Sequence, residues 1–429
     1  MLEKIFKLKA NNTNIKTEIV AGLTTFLTMS YIIFVNPNLL HNATGMDQGA
    51  VFVATCLAAA VGTALMALVA NWPIGLAPGM GLNSFFAFTV VKTMGYTWEQ
   101  ALAAVFVSGI VFLLLTILGL RKWLIKGIPI SLRQGITAGI GLFLAITAFK
   151  TTGIVTANPN IIMSAGNLLS TEILLVALGL MLIVILENFK IKGAILFSIL
   201  TITLLSILLG YSHLDGIINY PPSLAPTFFK LDLKSILELG LLQIILVFTI
   251  VEMFDATGTL IGVSQKAGLL AKGKADNLNK ALFADSTAIL SGSILGTSST
   301  TAYIESAAGV QAGGRTGLTA LTIAICFLIC LWFSPLAAAV PTFATAPALI
   351  YVAILMVREI TSINWEDLTE IMPTILTAIC MPFMYSIADG LAIGFISYTS
   401  LKLTTGKYKE IHIATWIITL LFILHYIYL

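Results

Sequence analysis

The chain has 429 residues, of which 58% are hydrophobic and only 10% charged, with a formal net charge of +3. Soluble domains carry about 25% charged residues, so soluble globular readings are excluded and an all-α polytopic protein of a lipid bilayer is expected. The Lys and Arg are scattered through short loops and form no stripe, which excludes a nucleic-acid partner.

In chain order, residues 1–16 are polar and basic, and no small-residue cleavage site follows, so no cleavable signal is expected. A spanning helix needs about 20 apolar residues, fewer where it is broken or buried. Apolar segments are predicted at 17–37, 50–70, 76–91, 100–119, 131–149, 170–187 and 193–210. An amphipathic stretch near 231–240 leads into 241–263. Then come 280–295, 297–311, 316–335, 342–358, 370–386 and 389–404, with a last apolar run at 411–428.

Basic residues orient these segments, because cytoplasmic loops carry the excess of Lys and Arg. With Lys4, Lys7 and Lys9 inside, the inner loops also hold Arg121, Lys122, Lys126 and Arg133, Lys190 and Lys192, and Lys266, Lys272, Lys274 and Lys280. Arg315, Arg358, Lys402, Lys407 and Lys409 complete that side, whereas the outer loops hold Lys92, Lys150, Lys230 and Lys234. The pattern supports fourteen crossings through residue 404. It leaves open whether 411–428 crosses in addition, lies against the bundle, or reflects a miscount over 370–404. Seven segments on each side of residue ~235 imply two inverted halves, a plan common among secondary transporters.

Each half carries an interrupted segment in third place. These are GLAPGMGLNSFFAF (75–88) and GTSSTTAYIESAAG (296–309). Gly and Pro in the first, and a Ser/Thr run in the second, make poor continuous helices. Non-helical backbone at membrane depth must be buried in protein or line a cavity. The hydroxyl run Thr297–Thr301 is expected to satisfy backbone freed by the break.

Three acids fall at membrane depth. Glu252 and Asp255 lie mid-way along QIILVFTIVEMFDATGTLIG (243–262), three residues apart and so on one helix face, which Thr259 continues. Glu305 lies in the second interrupted segment. A carboxylate near the bilayer centre costs at least ~2.5 kcal/mol on insertion scales, so these acids should face protein or a polar cavity. Asn83, in the first interrupted segment, offers a donor and an acceptor. A structural role, pairing an acid with a hydroxyl or clamping backbone with the amide, competes at each position. Phe85, Phe86, Tyr303 and Phe254 flank these groups and could stack on a planar ligand, although membrane aromatics most often pack. Asp285 and Asp389 read as helix-terminus residues.

Ionised carboxylates accept hydrogen bonds and repel anions. With an amide and aromatics they suit a flat heterocycle bearing ring N–H groups. The same acids could take up a proton, and a sodium ion would use similar ligands. The cysteines Cys56, Cys326, Cys330 and Cys380 lie in apolar segments and read as small buried hydrophobes. No CxxC, HExxH or Walker loop occurs, so neither metal nor cofactor is expected and no enzymatic centre is legible.

The motifs AGLTTFLTMSYIIFVNP (21–37), GLAPGMGLNSFF (75–86), EMFDATGTL (252–260) and STTAYIESAAGVQAGGRTG (299–317) resemble the adenine/guanine/hypoxanthine permease branch of the nucleobase–ascorbate transporters. SLRQGITAGIGLFLA (131–145) and MPFMYSIADGLAIGFISY (381–398) extend the resemblance over nearly the whole chain. It implies two inverted seven-helix repeats with short strand–helix segments at the third and tenth positions. It also implies a core domain and a gate domain that move like an elevator, dimerisation through the gate, and proton symport of purine nucleobases across the cytoplasmic membrane. The corresponding division is 1–16 cytoplasmic, 17–119 and 236–336 core, and 120–235 and 337–429 gate. Carried over, Glu252 grips the base, Glu305 is the second acid, Tyr303 lies near the ring, and Asn83 is the polar third-segment residue. Asp255 stands where this branch has a further functional acid, so Glu252, Asp255 and Glu305 are the candidates for proton coupling. A sulfate-type anion exchanger of the same fold is the alternative; Glu252 and Glu305 argue against it.

Overall fold

The computed structural model describes residues 2–158, 162–237, 239–269 and 276–428, and the chain in it is almost wholly helical. The short α1 (Leu2–Phe6) precedes α2 (Ile15–Met29) and α3 (Ile32–Thr44). Together these form the first membrane segment, broken at Ser30–Tyr31. α4 (Gln48–Leu65) runs on into a π-helical turn to Ala70. The chain then extends as β1 (Leu76–Pro78) and resumes as α5 (Met80–Ser84), which continues as a π-helical stretch to Thr93. α6 (Trp98–Ile117), α7 (Leu120–Gly127) and α8 (Ile130–Thr151) follow. A hairpin of β2 (Val155–Asn158) and β3 (Ile162–Ala165), unforeseen in the sequence, caps that helix before α9 (Thr171–Asn188) and α10 (Ala194–Leu208).

The amphipathic stretch near 231–240 is a 3-10 turn, Leu233–Leu237, that leads into α11 (Leu239–Lys266) and then α12 (Asp276–Leu295). Of the basic residues assigned to the loop between them, Lys272 and Lys274 lie outside the described residues. β4 (Thr300–Ala302) and α13 (Ser306–Gln311) form the second interrupted segment. The remainder is α14 (Gly317–Cys330), α15 (Ser334–Ala338), α16 (Thr342–Val357), α17 (Leu368–Phe383), α18 (Ile387–Thr404) and α19 (Ile413–Tyr428). Among the described residues eight helical runs are long and apolar enough to cross a membrane, and three shorter apolar helices accompany them. The two interrupted segments fall below such a length because each is split by a strand.

Two packing groups are visible. In one, α4 lies against α3, α12 and α14, while α6 packs on α11 and α12, and α2 on α13 and α14. In the other, α8 packs on α16 and α17, α9 on α10 and α16, and α18 on α17 and α19. Small residues allow the close approach that helices in lipid depend on. A Cβ added at Gly139 of α8 would sit 2.5 Å from Met381 Sδ and 3.1 Å from Ala378 Cα.

The surplus run 411–428 packs antiparallel along α18. Thr399 and Thr419 hydroxyls meet at 2.8 Å, Phe395 stacks on Phe422 at 6.0 Å, and Tyr426 O–H donates to Asp389 at 2.6 Å. Asp389 stands in the first turn of α18, where Ser386 accepts its N–H. At the opposite end Lys402, only 1% exposed, meets Glu370 at 2.7 Å and Glu410 at 2.6 Å. Lys407 bonds Asp367 nearby and holds that carboxyl below its usual range. Asp285, read from the sequence as a helix-terminus residue, lies instead well inside α12, where it is fully buried. Its carboxylate forms an ion pair in place of a cap.

Glu18 closes the other packing group. It is fully buried on α2 and its carboxylate accepts the backbone N–H groups of Arg315, Thr316 and Thr319 (2.9, 3.2 and 3.2 Å) and the Thr319 hydroxyl (2.6 Å). It therefore satisfies the free N–H groups at the start of α14 from a different helix. Replacing it by Gln turns an N–H group toward those donors. The Glu18→Gln protein is expected to lose about 1–3 kcal/mol of stability, read as a lower midpoint for thermal unfolding in detergent. An unchanged midpoint would show that the cap contributes nothing.

Candidate functional site at the strand junction

The site is built on two strands that meet inside the bundle. β1 and β4 pair antiparallel with Leu76 opposite Ala302, Ala77 opposite Thr301 and Pro78 opposite Thr300. The pairing extends at both ends, where Gly79 N–H donates to Ser299 O (2.9 Å) and Tyr303 N–H donates to Gly75 O (3.0 Å). Pro78, which lacks an N–H, is tolerated because this ladder is only two strands wide. Tyr303 adds a side-chain tie, its hydroxyl donating to Pro78 O at 2.6 Å.

The hydroxyl run was expected to satisfy freed backbone, and most of it does not. β1 provides those backbone partners. The side-chain oxygens of Ser298, Thr300 and Thr301 are buried without a protein hydrogen-bond partner, as is Ser84 Oγ. Thr297 is engaged, accepting from Asn36 Nδ2 at 2.9 Å, and Ser299 faces Glu252.

The three acids converge on this junction. Glu252 of α11 is fully buried, with the Ser108 hydroxyl of α6 donating to its two oxygens at 3.4 and 3.5 Å and the Ser299 hydroxyl facing it. Asp255 is partly exposed and faces Gly79. A Cβ at that glycine would lie 3.6 Å from Asp255 Oδ2 and 2.8 Å from Thr301 Cγ2. Glu305, just before α13, is also partly exposed and accepts the Tyr31 hydroxyl at 3.0 Å. Thr259 is buried farther along α11.

Asn83 is fully buried in α5. Its Nδ2 donates to Asn36 Oδ1 at 2.6 Å, and Asn36 in turn donates to Thr55 Oγ1 (2.8 Å) and Thr297. Asn83 Oδ1 has no protein partner. The amide thus both clamps the broken segment and keeps an acceptor in reserve. Phe85 is buried edge-on against Phe248 of α11, with ring centroids 5.0 Å apart. The Phe254 side chain lies outside the described residues.

Four contributors escaped the sequence reading. Tyr31 and Asn36 stand in the quoted first motif, and a polar amide directly before Pro37 was a legible signal. Ser108 is one hydroxyl in an apolar helix and gave none. Arg121 was counted as an inner-loop cation, whereas it is 1% exposed and paired to Asp285 at 3.2 Å. Among the described residues no three His, Cys, Asp or Glu side chains form a metal-ligating group.

Chemically, the junction offers carboxylates and unbonded hydroxyl and amide oxygens at close quarters. That set accepts hydrogen bonds from N–H groups. Gly79 is required by the fit of the strands. The Gly79→Ala chain is expected to reach the membrane and to lose most of its transport, measured as solute uptake against protein amount. Normal uptake would show that the junction tolerates a side chain there.

The permease family (Xan_ur_permease) matches residues 16–393. The chain is 49% identical to the adenine permease AdeP of Escherichia coli K12, over 100% of this chain and 96% of that one. It is 44% identical to the guanine/hypoxanthine permease PbuO of Bacillus subtilis 168, over 97% and 98%. Among solved structures it is similar to the transmembrane domain of the cyanobacterium bicarbonate transporter BicA. There the TM-score is 0.67 at 16% identity, over 88% of this chain and 96% of that chain. SLC26A9 gives a TM-score of 0.68 at 11% identity, over 91% and 66%. At such identities these two structures bear on the fold alone.

Proposed function

The chain belongs to the Xan_ur_permease family, and from that premise we propose that it imports purine nucleobases, namely adenine, guanine or hypoxanthine, by proton symport across the cytoplasmic membrane. It is a multi-pass membrane permease and not an enzyme. The observation that carries the substrate reading is the gathering of Glu252, Asp255 and Glu305 around the β1–β4 junction.

Glu252 and Glu305 accept hydrogen bonds from ring N–H groups of the base. Asn83, through its free Oδ1, adds an acceptor, and Tyr303 and Phe85 supply the apolar walls. One carboxyl among Glu252, Asp255 and Glu305 carries the coupled proton. Such a role suits acids that line a cavity, because a proton carried on a carboxyl neutralises its charge there. Residues 17–119 and 236–336 act as a core that rises and falls against a gate formed by 120–235 and 337–429, in an elevator-like cycle. The two packing groups support that division. The halves are related as inverted repeats, which the paired strands support.

The similarity in fold to a bicarbonate transporter keeps an anion carrier as the second reading. Against it, an anion site presents basic groups or helix N-termini without carboxylates, and here three acids face the junction.

Uptake of radiolabelled adenine, guanine, hypoxanthine and uracil into cells, with and without a proton uncoupler, tests the proposal. Purines are expected to enter and the uncoupler to abolish their accumulation; entry of none would overturn the substrate reading. Dependence on sodium and indifference to the uncoupler would overturn only the coupling. The Glu252→Gln chain is expected to insert normally and to lose purine uptake by ~100-fold, the loss of one or two charge-assisted hydrogen bonds.

A further inference from the structure

Arg121 stands at the start of α7, the short helix that carries the chain from α6 to α8, yet its side chain is 1% exposed. A guanidinium does not shed its proton, so burial obliges it to find a partner for its charge and donors. Nε and Nη2 donate to Thr257 Oγ1 at 3.3 and 3.1 Å, and Nη1 donates to Leu282 O at 3.3 Å. Nη2 also meets Asp285 Oδ2 at 3.2 Å, and the guanidinium carbon lies 3.9 Å from the centre of the Phe112 ring.

These partners sit behind the candidate site. Thr257 is on the turn of α11 that follows Glu252 and Asp255. Asp285, on α12, also faces the Ala302 amide of β4. One side chain therefore braces the helix that carries two of the acids and the helix that backs the strand junction. The far end of α7 is held elsewhere. Gly127 O accepts the Thr415 hydroxyl of α19 at 2.7 Å, and Trp123 packs on His412 at 5.1 Å. α7 is thus bolted to one packing group through Arg121 and to the other through α19.

Resting on the transporter reading above, we propose that Arg121 is a positioning residue for transport, fixing Thr257 and Asp285 behind the site and tying them to the α6–α8 linker. It governs reorientation of the site and not recognition of the base. Its hydrogen bonds go to Thr257, Leu282 and Asp285 and to none of Glu252, Glu305 or Asn83; its charge acts on Glu252 across space, while its bonds hold α11 and α12. Any shift of α8 relative to α11 must carry or strain α7, and the Arg121 fork decides which.

The test compares purine uptake with purine binding by the purified full-length protein, for the parent and two variants. Arg121→Lys keeps the buried charge and loses the fork. It is expected to retain binding within ~2-fold and to lose uptake by ~10-fold, the size of an ordinary coupling between sites. The double variant Arg121→Gln/Asp285→Asn removes both charges and so avoids the lone buried charge that unfolds single variants. It is expected to bind but not to transport. Parental uptake by either variant would overturn the proposal, because a merely structural pair tolerates joint neutralisation. Binding lost in step with uptake would overturn it too, by placing Arg121 in recognition. If the parent itself takes up no purine, the transporter reading fails first, and the two failures are told apart.

Discussion

Everything in the site depends on one constraint: backbone N–H and C=O groups inside a bilayer must be paired within the protein. Residues 75–79 and 299–303 leave the helical path and give up their internal bonds. Each recovers part of them from the other, across the antiparallel register of Leu76 with Ala302 and Pro78 with Thr300, while the hydroxyls of Thr63 and Ser306 take up the Leu76 and Gly75 groups that face away. Two short strands distant in sequence are thereby fixed face to face. Because the facing strand, Thr63 and Ser306 supply those partners, the Ser298, Thr300 and Thr301 hydroxyls are released from that duty. The pairing that satisfies the backbone is what leaves polar side chains available for a solute.

The acids follow from the same arrangement. Glu252 and Asp255 share one face of α11, and Glu305 is held where β4 gives way to α13. Glu252 has the Ser108 hydroxyl beside it, Glu305 the Tyr31 hydroxyl and Asp285 the Arg121 guanidinium. Glu18 shows the structural use of a buried carboxylate, with its oxygens taken up by the start of α14. The contrast separates acids spent on the scaffold from acids left with capacity to bind.

Much of this was legible in the sequence, for physical reasons. Bilayer thickness fixes segment length, so the helices fall close to where apolar runs placed them. Glycine, proline and Ser/Thr runs mark the two breaks because they weaken helices. What escaped were relations between distant residues. Nothing local in GTSSTTAYIE reveals that its backbone pairs with GLAPG, so the hydroxyls were assigned the wrong duty. Arg121 was counted with the loop cations because the positive-inside rule weighs position along the chain and is blind to burial. Asp285 looked like a cap because its helix begins in a polar stretch, and only packing brings Arg121 to it. The final run 411–428 had no place in a fourteen-segment plan; its register along α18 is set by Thr399, Phe395 and Asp389, which no periodicity announces.

The central claim is that the strand junction and its acids form one purine site. The most direct test is an experimental structure of the full chain with a purine bound. The expected result is a base lying at the β1–β4 junction, its ring N–H groups donating to Glu252 and Glu305, with Asn83 Oδ1 within reach. A base bound elsewhere, with those carboxylates still engaged only by Ser108 and Tyr31, would contradict it.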